Sequence, residues 1–331
     1  MALLENTVLY LAKYAPVDNC ADDESNPVYQ KYHSDVYAEL CDLFQVVIAS
    51  RDISDLFRQH ERFDYIFSLY NQAPFRNSEI LVSAIAEYYR IPYLGARPNT
   101  RAIAEDKVLA KVYATHLGLN TPPWKAYDFE CLDEISPPDF EPPYFVKPRF
   151  AAGSYFIDET SICKTWEAAE RQITKIHGES KDALLEKQIL GTYYTSPVID
   201  NYSNHLFLPC IREESSLKDG VVSHKQKRKL EVGLERVIEN NPSIQALIKD
   251  SASRMYNAVK PLDYTRFDFV LDETGTPHFL EFNVCCNLGK HSTLFQAAEH
   301  VGFTYRTLLE NIVCSSMWRQ GMIQDITGKG F

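Results

Sequence analysis

Residues 263–284, DYTRFDFVLDETGTPHFLEFNV, constrain this chain more than any other stretch. Two runs of alternating apolar and polar residues flank Glu273-Thr274-Gly275-Thr276, which predicts a β-hairpin closed by a four-residue, glycine-containing turn. With the turn centred between Thr274 and Gly275, Asp268 pairs with Glu281, Arg266 with Asn283, Phe267 with Phe282 and Phe269 with Leu280. One face of the ribbon is then aromatic and buried, and the other presents two carboxylates, an amide and a guanidinium. Carboxylates facing each other at about 5 Å repel and weaken a sheet unless a cation lies between them. Asp268, Glu281 and Asn283 offer only oxygen, a set suited to Mg²⁺ or Mn²⁺ and not to zinc. Mg²⁺ held in this way keeps waters and substrate phosphates as its other ligands. The same residues also make sense as an exposed polar sheet face on which Arg266 neutralises both acids. The pattern alone leaves both readings open.

Around the hairpin the chain is organised in blocks. Apolar runs at 7–12, 45–50 and 64–69 alternate with helix-like stretches at 33–43 and 51–59, and another follows at 77–90. That alternation predicts a small parallel α/β unit, closed by Ile91-Pro92-Tyr93-Leu94-Gly95. A helix over 103–117, stopped by Gly118, opens a second unit. Its proline pairs, Pro122-Pro123 and Pro137-Pro138, punctuate strands near 124–128 and 144–148; a helix near 165–177 and a strand at 183–189 complete it. Extended runs and helices at 243–259 and 304–315 fill the remainder. The expected fold class is α/β with α+β subdomains, divided at residues 1–100, 101–190 and 191–331.

Composition excludes several classes. Lys and Arg total 34 against 45 Asp and Glu in 331 residues, a formal charge of −11, which disfavours nucleic-acid and anionic-membrane partners. No stretch reaches the ~18 apolar residues of a membrane-spanning helix. Met1-Ala2-Leu3-Leu4-Glu5-Asn6 has no basic region, so no secretory signal is expected. Eight scattered cysteines without a C-x-x-C pair are expected to be reduced thiols of a cytoplasmic protein. The chain has neither glycine-rich phosphate fingerprint, G-x-x-x-x-G-K-[ST] or G-x-G-x-x-G, and no H-E-x-x-H or G-x-S-x-G.

Phosphate would therefore be met by lysines on strands. Lys147 closes the apolar run Tyr144-Phe145-Val146, and Gly153-Ser154 follow in the next loop. A lysine buried in a strand wants an anionic partner, and loop N–H groups can cradle a phosphate; a lysine at a strand end can also snorkel to water. Glu186-Lys187 ends another apolar strand before Gly191. Residues 221–229, VVSHKQKRK, form the one basic cluster, and strand alternation sets Lys225 and Lys227 on the same side.

Together these four features resemble the ATP-grasp superfamily, most closely its D-alanine–D-alanine ligase-like branch, over about residues 93–300. YLGARPNTRAIAEDKVLAKVYATHLGLNTPPW is similar to that family's opening segment. The resemblance implies an ATP-grasp fold preceded by the parallel α/β unit, with ATP and Mg²⁺ or Mn²⁺ as cofactors. It puts Lys107, Lys147, Gly153 and Ser154 at the ATP phosphates, Glu186, Lys187 and Ile189 at an adenine hinge, and Tyr193 where the family has a ribose-binding glutamate. Asp268, Glu281 and Asn283 become the metal ligands. Arg266 becomes an oxyanion donor, with Asn287 or Gly289 beside it. Lys225 or Lys227 would meet the transferring phosphoryl group. Lys290, His291 and Ser292 fall where the family holds an amino acid's carboxylate. The implied reaction is ADP-forming: a carboxylate-type oxygen is phosphorylated and an amine then displaces phosphate, in a protein that is usually a homodimer.

Three departures bear on the substrate. The first loop, Ala12-Lys13-Tyr14-Ala15-Pro16-Val17-Asp18, lacks the family's glycines and glutamate; Tyr155 replaces a phosphate-loop hydroxyl; and Asn283 is followed by Val284-Cys285-Cys286-Asn287-Leu288-Gly289. Cys285 and Cys286 read as small pocket-lining residues rather than nucleophiles. The departures disfavour dipeptide formation from D-alanine. The chain looks most like the cyanobacterial-type ligases of mycosporine-like amino acid biosynthesis, which activate an enaminone oxygen and install an amino acid such as serine or threonine. A dipeptide ligase is the alternative. A nucleotide-binding protein without catalysis is disfavoured by Arg266, because binding alone needs no oxyanion donor.

Overall fold

Three sheets, each built from its own stretch of chain, organise the computed structural model, which describes residues 4–17, 27–71, 76–131, 135–150, 156–215 and 234–324. The first is parallel, in the order β2-β1-β3, from β1 (Leu4–Leu11), β2 (Phe44–Ser50) and β3 (Tyr65–Ser68). Residues 8–11 of β1 are all buried, as expected of a parallel strand covered on both faces. Val8 and Tyr10 join a core with Val36 and Leu40 of helix α1 (Pro27–Leu43). Leu9 and Leu11 point the other way, to Leu56 of α2 (Asp55–Arg58) and Val82, Ile85 and Ala86 of α3 (Ile80–Tyr89). The helix expected over 51–59 shrinks to α2, because Asp52 captures the backbone N–H and hydroxyl of Ser54 in a local turn.

The single helix expected over 103–117 is two helices, α4 (Pro98–Glu105) and α5 (Lys107–His116). Asp106 between them is extended, and its carboxylate accepts from the N–H groups of Val108 and Leu109 as the N-cap of α5. The same carboxylate receives Arg149 through two hydrogen bonds of 2.8 and 2.6 Å. Apolar periodicity does not register this break, because polar capping makes it.

The second sheet is antiparallel, ordered β4-β7-β5-β6, from β4 (Trp124–Tyr127), β5 (Tyr144–Pro148), β6 (Ile162–Cys163) and β7 (Ala183–Lys187). Helix α6 (Trp166–His177) backs it, packing Ala169, Ile173 and Ile176 on Val146 and Leu185. The third sheet runs β11-β10-β8-β12-β13, with β9 on β8: β8 (Gly191–Asn201), β9 (Asn204–Phe207), β10 (Ile211–Ser215), β11 (Leu234–Ile238), β12 (Tyr264–Asp272) and β13 (Pro277–Asn283). Helix α7 (Pro242–Val259) covers its aromatic face. Helices α8 (Thr293–His300) and α9 (Tyr305–Arg319) then return to the core of the first sheet. No helix among the described residues is long and apolar enough to cross a membrane.

The hairpin pairs Arg266 with Asn283, Phe267 with Phe282 and Asp268 with Glu281, as the sequence predicts. Nearer the tip the prediction fails: Phe269 faces Phe279, not Leu280. Asp272 N–H bonds the Thr276 carbonyl, so the turn holds three residues, Glu273 to Gly275, with Gly275 at φ +82°. That shifts the register by one, and a bulge at Leu280 absorbs the extra residue before the acids are reached. Leu280 consequently lines the same cleft as Glu281. Beside the tip, on β8 opposite Asp272, Gly191 admits no side chain, since a Cβ there would stand 2.1 Å from the Leu271 carbonyl oxygen.

Asp263 ties the units together. Wholly buried, it accepts from Arg319 on α9 at 2.8 and 2.9 Å and from the N–H of Gly95 at 2.6 Å. Asp263→Ala leaves the Arg319 charge without this partner and should lower the unfolding free energy by about 3 kcal/mol in urea titration. A loss under about 1 kcal/mol would show that the pair does not hold the units.

Candidate functional site

The second and third sheets face each other across a cleft with about 1050 Å³ of empty space, part of it open solvent. The hairpin forms one wall. Asp268 accepts from the Thr195 hydroxyl at 2.9 Å and the Asn283 amide at 3.3 Å, and lies 3.4 Å from Arg266 Nε. Burial opposes the Arg266 charge, yet Asp268, aided by Cys286, Glu213 and Glu281, outweighs it and raises its pKa above the ordinary value. The aromatic side of the same ribbon is buried as expected, with the Phe267 and Phe282 rings stacked 5.7 Å apart. Thus one strand pair separates a greasy face from a charged one, and the acids have nowhere to turn but the cleft.

The donor chemistry fits a divalent cation. Asp268 and Glu281 sit directly opposite one another with the Asn283 amide alongside, all oxygen donors, and both acids line the cleft. Two carboxylates and an amide leave room for water and phosphate oxygens. Among the described residues no group of three His, Cys, Asp or Glu side chains forms a separate metal centre.

The opposite wall is cationic. Lys107, first residue of α5, is 4% exposed and reaches to 3.9 Å from Glu281. Burial lowers its pKa, against the pull of Glu281. Lys147, on β5, is 5% exposed and pairs with Glu186 at 2.9 Å. Glu186 also pairs, at 2.7 Å, with Lys111, a residue absent from the sequence expectations. Lys111 stands one turn beyond Lys107, and that i, i+4 lysine pair was the available signal. Burial pushes the Glu186 carboxyl up, but the two lysines together bring it below the usual range.

The residues expected at the hinge, Glu186, Lys187 and Ile189, also line the cleft. The Lys187 N–H donates to the Pro123 carbonyl at 2.8 Å, and its ammonium is held by the Glu141 and Pro142 carbonyls at 2.6 and 2.8 Å. Ile189 and Tyr193 complete that end, the Tyr193 phenol being pushed up to about 12 by burial and then by Glu186. Gly153, Ser154, Lys225 and Lys227 lie outside the described residues.

The stretch after the hairpin is firmly held. Asn287 accepts from the Gly289 N–H at 2.7 Å and meets His291 Nε2 at 3.1 Å. Ser292 is buried and accepts from the Phe295 N–H as the N-cap of α8. Lys290 is exposed, its ammonium 4.9 Å above the Tyr305 ring. Arg236, also missed, pairs with Glu213 in the cleft wall at 3.0 Å and donates to the His291 carbonyl at 3.2 Å. It connects this stretch to the cleft.

Against known proteins, the family model described as D-ala D-ala ligase C-terminus matches residues 114–314. The D-alanine–D-alanine ligase of Maridesulfovibrio salexigens is 24% identical over 273 residues, covering 81% of this chain and 86% of that one. A ligase of the same name from Clostridium botulinum is 26% identical over 244 residues, 71% and 76% of the two chains. The crystal structure of the Bacillus anthracis D-alanine–D-alanine ligase complexed with ATP superposes with a TM-score of 0.75 at 18% identity, covering 96% of this chain and 99% of that one.

Cys285 and Cys286 are both pushed up to about 12, first of all by burial, so they stay protonated and poorly nucleophilic at neutral pH. Iodoacetamide at pH 8 followed by peptide mass mapping should label the exposed Cys41 and Cys131 while sparing this pair. Neither Cys285 nor Cys286 lines the cleft, and rapid labelling of Cys285 would show a reactive thiol in this pair.

Proposed function

The chain belongs to the D-ala D-ala ligase C-terminus family and has an ATP-grasp fold with an N-terminal parallel α/β unit, and on that premise we propose that it is an ATP-dependent, ADP-forming carbon–nitrogen ligase. The observation that carries this is the meeting of Arg266, Asp268 and Glu281 with Lys107 and Lys147 in one cleft, with Asn283 paired to Arg266 and bonded to Asp268 beside it. ATP lies with its phosphates toward the lysines and its base toward Lys187 and Ile189. The assignment includes Gly153 and Ser154 at the phosphates and Lys225 or Lys227 at the transferring group. Asp268, Glu281 and Asn283 would hold Mg²⁺, which when bound neutralises phosphate charge.

The chemistry asks little of a protein nucleophile. The γ-phosphoryl group passes to an acceptor oxygen and ADP leaves; the amine then attacks the adjoining carbon, losing its proton as phosphate departs. Positioning and charge neutralisation lower such barriers, so buried lysines and an arginine suffice. Arg266, kept charged by its acids, stabilises the oxyanion with Asn287 or Gly289. The facing sheets exclude water from the acyl-phosphate-like intermediate. In this scheme residues 1–100 supply the acceptor side, 101–190 the first nucleotide-binding unit and 191–331 the second, with the metal ligands.

The specific reading is condensation of mycosporine-glycine with serine or threonine. Its support is the wall beside the first loop. Tyr14 packs on Tyr29 and His33, and the Tyr10 hydroxyl meets His33 Nδ1 at 2.6 Å. Burial, followed by Arg51, lowers the His33 pKa to about 4, so the ring is neutral at pH 7. An aromatic wall whose nearby charges are cationic, Lys13 over the Tyr14 ring and Arg51 near His33, suits a conjugated ring acceptor better than the ammonium of D-alanine. Lys290, His291 and Ser292 belong to the amino-acid side of the scheme. A cytoplasmic homodimer completes the reading. The alternative, D-alanine–D-alanine or another dipeptide ligation, rests on the names of the relatives.

With ATP, Mg²⁺, mycosporine-glycine and mixed amino acids, mass spectrometry should find a mycosporine-like amino acid, and ADP should accumulate only when acceptor and amine are both present. D-alanyl-D-alanine as the sole product would favour the alternative, and AMP would reject a phosphoryl intermediate. Asp268→Ala and Glu281→Ala should each cut turnover about 10²–10³-fold with an unchanged circular dichroism spectrum. Full activity in either would remove it from the metal site.

A further inference from the structure

Lys111 has no exposed surface and does not line the cleft, yet it shares a carboxylate with a lysine that does. Its Nζ lies 2.7 Å from Glu186 Oε1, and Lys147 Nζ lies 2.9 Å from Glu186 Oε2. The Thr121 hydroxyl accepts from Lys111 at 2.9 Å. Burying an ammonium costs several kcal/mol, so a fully buried third member needs a reason that the Lys147–Glu186 pair does not supply. The reason is the charge count: two lysines on one carboxylate leave one positive charge in surplus.

Lys147 and Glu186 alone would be a closed, neutral pair. To engage an anion, Lys147 would have to leave a buried carboxylate uncompensated. With Lys111 on the other carboxylate oxygen, Glu186 stays paired while Lys147 turns to the phosphates. We propose that Lys111 is a positioning residue for nucleotide binding, which occupies Glu186 and so keeps the charge of Lys147 available to the triphosphate. This rests on the ATP-binding reading above and adds to it a residue that never touches the nucleotide.

The groups facing Lys111 are Glu186 from β7, Lys147 from β5 and, further off, Glu281 from β13. Burial dominates them and lowers its pKa to about 8. The surplus charge is therefore present below that pH and is lost above it.

The test is titration calorimetry of the full chain with Mg²⁺ and adenylyl imidodiphosphate, using adenosine as the phosphate-free control. Lys111→Met should weaken the analogue roughly tenfold or more, as expected for removing a buried unit charge near an anion, and leave adenosine unchanged. Adding Glu186→Gln to Lys111→Met should restore most of the analogue's affinity relative to adenosine, a ratio from which any effect of Glu186 at the adenine end cancels, because Lys147 again carries the surplus charge. Wild-type affinity for the analogue should fall as pH rises through about 8, with that step missing in Lys111→Met. Wild-type-like binding by Lys111→Met would overturn the inference, as would a double variant weaker than the single one. Should Lys111→Met not fold, the double variant and the wild-type pH profile decide in the same directions. A wild type that binds no analogue at all would instead overturn the ATP-binding reading.

Discussion

Two carboxylates held opposite each other across β12 and β13 dictate much of what surrounds them. Their repulsion is tolerable only with positive charge or hydrogen-bond donors nearby, and the structure supplies Arg266, Lys107, the Asn283 amide and the Thr195 hydroxyl. The ribbon can carry them because its other face is so apolar. Phe267, Phe269, Phe279 and Phe282 are at most 1% exposed, in one cluster with α7. Burial on that side fixes which way the acids point.

The cleft is finished by elements distant in sequence. The second sheet contributes Lys147 and Glu186, and the Asp106 cap starts α5 where Lys107 can face the hairpin. Arg149 holds that cap to the end of β5, coupling the start of a helix to a strand edge. Lys107, Lys147 and Arg266 each have an acid within 4 Å, so these charges are positioned by one another as well as by the backbone. A site so arranged is organised for an anionic ligand before one arrives.

Some of this was legible in the residues. The parallel first sheet follows from three apolar runs alternating with helical stretches, and the pairing of Asp268 with Glu281 follows from period-two alternation about a glycine turn. The tip register was not legible, because a three-residue turn and the bulge at Leu280 offset each other and leave the acid pair where a simpler hairpin would put it. Nor was the break at Asp106, where side-chain capping overrides a continuous apolar period. Lys111 and Arg236 were not expected as site residues, since a lysine in a helix and an arginine in an edge strand are ordinarily solvated, and only the i, i+4 spacing from Lys107 hinted at Lys111.

Sequence alone determined the local periods, the two faces of the hairpin and the chemical types of its ligands, because these depend on neighbours two to four residues apart. Tertiary structure alone decided which charges meet. Whether a lysine is a solvated surface group or a buried cation on Glu186 depends on burial and on partners scores of residues away, and no local pattern encodes either.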